Sequence, residues 1–565
     1  MGDGPLIVQS DKTLLLEIDH PDAAACRAAI APFAELEKSP EHVHTYRVTP
    51  LALWNARAAG HDAEQVVDAF VRFSRFPVPT SLLVDVADLM ARYGRLVIEI
   101  SDAYGGALVL RALDVPILEE VLRSKHVAPL VGERFAQDLV AIVPGERGRL
   151  KQALLKIGWP AEDLAGYVDG SPHYIGLNDK DLLEPGDPSA FELRPYQQEA
   201  VDSFAAAGSG VIVLPCGSGK TLVGAGAMAA TCARTLILVT NTVSARQWRE
   251  ELLARTSLTE DEIGEYSGER KEIRPVTIAT YQVMIAKRKG EFAHLGVFSA
   301  EDWGLIVYDE VHLLPAPVFR MTADIQSRRR LGLTATLVRE DGREGDVFSL
   351  IGPKRFDAPW RDIEAQGWIA PAVCTEVRVT LTDEERMAYA VADPEDRYRV
   401  GATAASKLAV VEAVVALHPG EPTLVIGTFL DQLDELAARL DAPIITGKTS
   451  TKERQVLYDQ FRSGEITLLV VSKVANFSID LPDATVAIQV SGSFGSRQEE
   501  AQRLGRILRP KEDGRQAYFY AIVSRDTNDQ EFAATRQRFL AEQGYAYEIV
   551  DASDVLTAEG PTDPA

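Results

Sequence analysis

Short uninterrupted apolar runs alternate with longer stretches of helical periodicity through the second two thirds of the chain. The runs at 211–214 (VIVL), 235–239 (TLILV), 276–279 (VTIA), 305–307 (LIV) and 330–333 (RLGL) have no polar alternation. They therefore predict strands covered on both faces, as in a parallel sheet flanked by helices. Each run ends abruptly in glycine, hydroxyl or acidic residues, and parallel sheets bind ligands at the carboxyl ends of their strands. A second series begins near Pro422, with TLVIGTF, PIITG, ITLLVVSK, VAIQVSG and AYFYAIV separated by helical segments. The expected fold class is α/β, with two parallel-sheet domains in tandem, at 190–375 and 376–548.

The N-terminal third follows a different pattern. Residues 1–100 carry helical spacing at 63–75 (AEQVVDAFVRFSR) and 81–93 (SLLVDVADLMARY), which predicts a mostly helical module. The segment HVHTYRV alternates with period two, so His42 and His44 fall on a strand face rather than in a metal site. Residues 101–178 alternate between the two periodicities and predict a small α/β module. The Pro, Gly and Asp-rich stretch 179–190 is expected to be a linker, and 549–565 a flexible tail.

Composition narrows the class. The chain has 565 residues, of which 46% are apolar and 25% charged, so several packed domains are expected. Four cysteines without a CxxC pair give neither a disulfide framework nor a zinc knuckle, which fits a reducing cytoplasm. No run approaches the roughly 18 apolar residues of a membrane span. The net charge of −24 excludes a uniformly basic surface. It leaves room for local clusters at Arg328 to Arg330, at Lys287 to Lys289, and at Arg503, Arg506, Arg509 and Lys511, each of which alone is an ordinary solvated face.

The chemistry concentrates after the first strand run. In VIVLPCGSGKT the turn Cys216, Gly217, Ser218, Gly219 lets backbone N–H groups converge on anionic oxygens. Lys220 can reach β- and γ-phosphates and Thr221 can ligate Mg²⁺. Leu214 stands where the strict phosphate-loop pattern has its first glycine. Asp309 and Glu310 follow another strand run, a spacing that suits a metal-holding carboxylate beside one that orients water. Upstream, Arg194 and Gln197 could address the edge of an adenine. Thr334 and Thr336 could relay a change at the phosphate. Arg503, Arg506 and Arg509, beside Gln502, offer cations for a phosphate across a cleft.

In this order the stretches resemble superfamily 2 helicases, and their wording is most similar to the bacterial members of the XPB family. LRPYQ (193–197) resembles the adenine motif, CGSGKT (216–221) motif I, VTNTVSARQW (239–248) motif Ia, ATYQ (279–282) motif Ib, DEVH (309–312) motif II and TAT (334–336) motif III. SKVANFSIDLP (472–482), with Ala475 and Asn476 in place of the usual Gly-Asp, resembles motif V, and QRLGRILR (502–509) motif VI. Arg339, Glu340 and Asp341 match the family's RED loop. The acidic stretch 381–406 stands where the family has a thumb-like insertion, and 101–178 resembles its damage-recognition domain.

The resemblance implies two RecA-like motor domains that use ATP and Mg²⁺. It implies Lys220, Glu310, Arg506 and Arg509 as catalytic groups, and Thr221 and Asp309 as metal ligands. Nucleotide contacts would come from Arg194, Gln197, residues 216–221 and Gln502. Coupling or DNA contacts would come from Gln247, Trp248, Tyr281, His312, Thr334, Thr336, Arg339, Glu340, Asp341 and Asp480. The implied activity is 3′-to-5′ unwinding of single-stranded, forked or junction DNA in repair, by a monomer with no membrane partner. Two alternatives stand beside it: a duplex translocase that separates no strands, and an ATP-switched scaffold that recruits a repair nuclease. Strand displacement on a 3′-tailed duplex distinguishes the first, and repair by a hydrolysis-dead protein the second.

Overall fold

A computed structural model describes residues 4–38, 42–178, 191–215, 217–288, 291–326, 328–335, 344–358, 363, 372–472, 484–492, 516–534 and 547–557. The linker stretch 179–190 lies outside them.

The first module has the expected helices and, in addition, a four-stranded antiparallel sheet ordered Leu6–Val8, Thr13–Glu17, Val43–Arg47, Glu35–Lys38. Helix Ala63–Phe73 begins with a reciprocal Asp62/Gln65 cap and buries Val66, Ala69, Phe70 and Phe73, the spacing of one helical face. Strand Val43–Arg47 is the one expected in HVHTYRV, while LIV and ELEK are too short to show an alternation. The second module starts earlier than residue 101. Its five-stranded sheet, ordered 131–136, 139–142, 107–112, 96–101, 161–163, takes in Leu96–Ser101.

Both modules are fixed to the first motor domain. The Tyr167 hydroxyl donates to Ser209 Oγ at 2.6 Å, the Gln152 amide to Asp346 at 2.8 Å, and the Lys354 N–H to Asn55 Oδ1 at 3.0 Å. The supposed basic cluster Arg328 to Arg330 belongs to this packing: Arg330 is fully buried, while Arg328 and Arg329 pair with Asp302 and Asp169.

In the first motor domain, helix α1 (Pro195–Ala207) leads into β1 (Ser209–Val213), which feeds α2 (Lys220–Thr231). There follow β2 (Thr235–Val239), α3 (Thr242–Arg255), β3 (Ile263–Tyr266), β4 (Val276–Thr280), α4 (Tyr281–Ile285), β5 (Leu305–Asp309), β6 (Arg329–Thr334) and β7 (Lys354–Asp357). The sheet order is β3-β4-β2-β5-β6-β1-β7, parallel throughout. Ile212, Ile237, Val307 and Leu333 pack into a core on one face and Val211, Leu236, Ile306 and Tyr308 into a core on the other. The strands read as unbroken apolar runs because both faces are covered.

The second motor domain repeats this plan: seven parallel strands ordered 444–445, 468–472, 423–427, 486–489, 517–524, 372–379, 547–551. Two boundaries change. Strand Ala372–Val379 crosses the expected division at 375/376. The expected tail contains order up to 557, since Tyr547–Asp551 pairs with 372–379 and helix Ala552–Thr557 buries Val555. Within 381–406 lie helices Asp383–Val391 and Arg397–Ala402. The stretch Arg397–Leu417 is apolar and long enough to cross a membrane. Here it is 44% buried within the fold, with Lys407 fully buried and donating to Asp529 at 2.6 Å.

Candidate active site

Leu214, in place of a glycine, is fully buried and continues β1; its N–H donates to the Thr334 carbonyl at the end of β6 at 2.9 Å. The chain then turns through Gly217 (φ 79°) and Gly219 (φ 83°), left-handed positions that glycine occupies without strain. Gly219 is constrained by space as well, since a Cβ there would lie 2.4 Å from Gln197 Nε2. The loop opens onto the N-terminus of α2, where Lys220 and a half-buried Thr221 form the first turn. A glycine turn that opens onto a helix N-terminus suits a polyphosphate.

Gln197 and Tyr196 brace this loop. Gln197 is 1% exposed; its Nε2 donates to the Ser218 carbonyl at 2.7 Å and its Oε1 accepts from the Arg194 N–H at 2.9 Å. The Tyr196 hydroxyl donates to the same Ser218 carbonyl at 2.6 Å, and Arg194 Nη1 donates to that hydroxyl at 3.1 Å. Gln197, expected to contact an adenine, bonds the loop through its amide in this structure. Tyr196 was missed, although it sits inside the LRPYQ stretch.

Opposite the loop, β5 ends in Asp309 and Glu310. Glu310 Oε1 lies 3.2 Å from Lys220 Nζ. Glu310 holds a left-handed backbone (φ 48°), an uncommon conformation for a non-glycine residue and the kind of strain found at working sites. Burial pushes the Asp309 carboxyl up to about 6, and the neighbouring Glu310 charge adds to the effect. Burial also opposes ionisation of Glu310, but Lys220 and then His312 outweigh it and hold that carboxyl below its usual range. His312 Nδ1 is 2.7 Å from Thr334 Oγ1 and 3.6 Å from Glu310 Oε2, which links the Glu310 carboxylate to the end of β6.

Asp309 is held by two aromatics. Trp248 Nε1 donates to its Oδ2 and the Tyr281 hydroxyl to its main-chain carbonyl, both at 2.9 Å. Both rings are buried, which removes them from the expected DNA-contacting surface and leaves the coupling half of that expectation; Gln247 is exposed on α3. Cys216, Thr336, Arg339, Glu340, Asp341, Asp480, Gln502, Arg506 and Arg509 lie outside the described residues. Among the described residues no group of three or more His, Cys, Asp or Glu side chains could hold a metal. A single carboxylate with the Thr221 hydroxyl fits Mg²⁺, which keeps waters and takes phosphate oxygens as its other ligands.

A phosphate loop after one strand and an acidic pair after another, in a parallel sheet followed by a second parallel sheet, define a nucleotide-driven motor of the two-domain helicase class. Family models match "Type III restriction enzyme, res subunit" at residues 190–339, "ERCC3/RAD25/XPB C-terminal helicase" at 363–561 and, in the N-terminal modules, "Helicase conserved C-terminal domain" at 6–136. The chain is 73% identical to a DNA 3′-5′ helicase XPB of Kineococcus radiotolerans over 98% of both chains. It is 69% identical to one of Mycobacterium tuberculosis, covering 98% of this chain and 99% of that one. A general transcription and DNA repair factor IIH helicase/translocase subunit XPB/SSL2 of Saccharomyces cerevisiae is 30% identical over 96% of this chain and 72% of the other. The chain belongs to the XPB family of DNA 3′-5′ helicases.

Proposed function

We propose that this chain is an ATP-driven DNA helicase that moves 3′ to 5′, hydrolysing ATP between its two motor domains. The observation that carries the reading is the juxtaposition of Lys220 on the phosphate loop with Glu310 at the end of β5, 3.2 Å apart in a half-buried cleft. With ATP bound, Lys220 turns to the β- and γ-phosphates and Glu310 is left to orient the attacking water. Asp309 and Thr221 are the residues that would hold Mg²⁺, which would supply positive charge at the phosphates. Arg506 and Arg509 act from the second domain as the cations that stabilise the transition state on closure. The working form is a monomer in the cytoplasm, acting on single-stranded and forked DNA in repair, where a nuclease is a fitting partner.

The yeast relative's name includes translocase, which favours duplex translocation without strand separation as the second reading. An ATPase assay comparing single-stranded DNA, duplex, forked DNA and RNA at one salt concentration tests the proposal, because phosphate-driven affinity changes steeply with salt. Stimulation by single-stranded and forked DNA is expected. Stimulation confined to duplex supports the translocase, and stimulation by RNA alone overturns both.

A further inference from the structure

Where the two N-terminal modules meet the first motor domain, a cavity of about 450 Å³ remains, a volume that suits a small ligand. All three bodies line it. The first module contributes Tyr93 from the end of helix Thr80–Arg92, the small α/β module Lys151 and Glu162, and the motor Phe348 and Arg355. The Tyr93 ring meets Phe348 edge-on with centroids 6.4 Å apart, which fixes the phenol at the seam.

Charge at this seam is out of balance. Arg147, Lys151 and Arg330 are buried around one carboxylate, that of Asp163. Burial holds the Lys151 ammonium down to about 8 although Asp163 opposes the shift, because Arg330 and Arg147 act in the same direction as burial. A further anion beside Lys151 relieves this excess of positive charge.

Donors are in place to meet one. Lys151 Nζ carries three protons and gives one to Asp163 Oδ2 at 2.8 Å. Arg355 commits Nε to the Ser209 carbonyl and Nη1 to the Ala58 carbonyl, both at 3.1 Å, which leaves Nη2 without a partner among the described residues. Burial pushes the Tyr93 phenol up to about 12, so its hydroxyl keeps its proton, and the charges of Arg355 and Glu162 both reach it. Glu162 is the exception in this lining: among the described residues its carboxylate pairs with no cation, and its Oε2 lies 3.3 Å from where a Cβ on Gly94 would stand, beside Tyr93.

Donors together with one unpaired carboxylate select an oxyanion that keeps a proton. Inorganic phosphate retains a P–O–H group at neutral pH, which a carboxylate can accept. Sulfate retains none, and a phosphomonoester, with a second pKa of about 6, has lost its own. We propose that the seam cavity is a binding site for inorganic phosphate, held by Lys151, Tyr93 and Arg355 and checked for its proton by Glu162. A bound phosphate joins both N-terminal modules to the motor through one ligand, so the strength of their docking follows the phosphate concentration.

The test is equilibrium dialysis of radiolabelled phosphate against the full chain, with Mg²⁺ and a non-hydrolysable ATP analogue filling the phosphate loop. Wild type should bind one phosphate per chain, saturably, and sulfate or ribose 5-phosphate should displace it at least about tenfold less well than unlabelled phosphate. Lys151→Met should weaken binding about tenfold or more, the factor that corresponds to a lost hydrogen bond to a charged group, and Tyr93→Phe should weaken it less. Glu162→Gln should let sulfate compete on a par with phosphate, a gain that loss of fold cannot imitate.

Absence of saturable binding in wild type overturns the proposal, as does displacement by sulfate or ribose 5-phosphate as readily as by phosphate. Binding that is unchanged in both Lys151→Met and Tyr93→Phe places the phosphate elsewhere and overturns it too. If Lys151→Met fails to fold, Glu162→Gln decides: a variant that still rejects sulfate refutes the role of the carboxylate.

Discussion

Asp163→Asn tests whether the small α/β module is held together by a buried charge cluster. The Asp163 carboxylate accepts from Arg147 through Nε and Nη2, at 3.0 and 2.6 Å, and from Lys151 Nζ at 2.8 Å. The three side chains are only 8–12% exposed. Fully buried Arg330 stands behind them, its guanidinium sharing the Tyr167 ring with that of Arg147. Burial holds Lys151 down to about 8, with Asp163 opposing that shift, and the two cations hold Asp163 well below the usual carboxylate range against its own burial.

Even with the carboxylate in place, a lysine at about 8 rather than 10.5 carries roughly 3 kcal/mol of disfavoured charge. Replacing Asp163 by an amide leaves clustered cations without the anion they share, a change that costs about 3–5 kcal/mol. For a module of about 80 residues that lowers Tm by roughly ten to forty degrees.

The sign of the pH dependence is fixed by the same groups. Between about 8 and 10.5 the unfolded chain binds more protons at Lys151 than the folded one, so wild-type stability from this group rises with pH. Without Asp163 the folded-state value of Lys151 drops further, and the variant begins to recover stability below pH 8. Its deficit should therefore shrink between pH 7 and pH 9. Scanning calorimetry at both pH values, with hydrogen exchange in strands 96–101 and 161–163, measures this directly. A loss under about 1 kcal/mol, or a deficit that is flat with pH while exchange is unchanged, refutes the reasoning.

Three further predictions concern turnover. Lys220→Ala should abolish hydrolysis while leaving measurable nucleotide binding, since the loop N–H groups remain; fluorescent-nucleotide titration beside an ATPase assay separates the two. Glu310→Gln should bind Mg-ATP with near wild-type affinity and hydrolyse it at least about a thousandfold more slowly; joint loss of binding and turnover would make Glu310 a metal ligand or a structural group. Arg506→Ala or Arg509→Ala should lower kcat by about 10³ to 10⁵ with little change in ATP affinity, and lysine should not rescue either. Normal hydrolysis with weakened, less salt-sensitive DNA binding would place these arginines on a DNA track instead.

Much of the motor was legible in the chain because its strands are covered on both faces. The runs at 211–214, 235–239 and 305–307 need no partner to be recognised, and the residues at their ends fall where ligands bind. What stayed hidden depends on contacts distant in sequence. Trp248 sits in a polar helix and gave no sign of burial; its place is set by Asp309, 61 residues away. Gln197 looked free to meet an adenine, and only the fold shows its amide bound to the Ser218 carbonyl. The strand at 547–551 has a half-exposed pattern that reads as tail until 372–379 is placed beside it.

The central claim, that ATP turnover at Lys220 and Glu310 drives strand separation from the 3′ side, is tested most directly by strand displacement on matched duplexes carrying a 3′ or a 5′ single-stranded tail. With ATP and Mg²⁺, the wild-type protein should release the strand from the 3′-tailed duplex and not from the 5′-tailed one, and Glu310→Gln should release neither. Displacement from the 5′-tailed duplex alone, or equal displacement by Glu310→Gln, would contradict it.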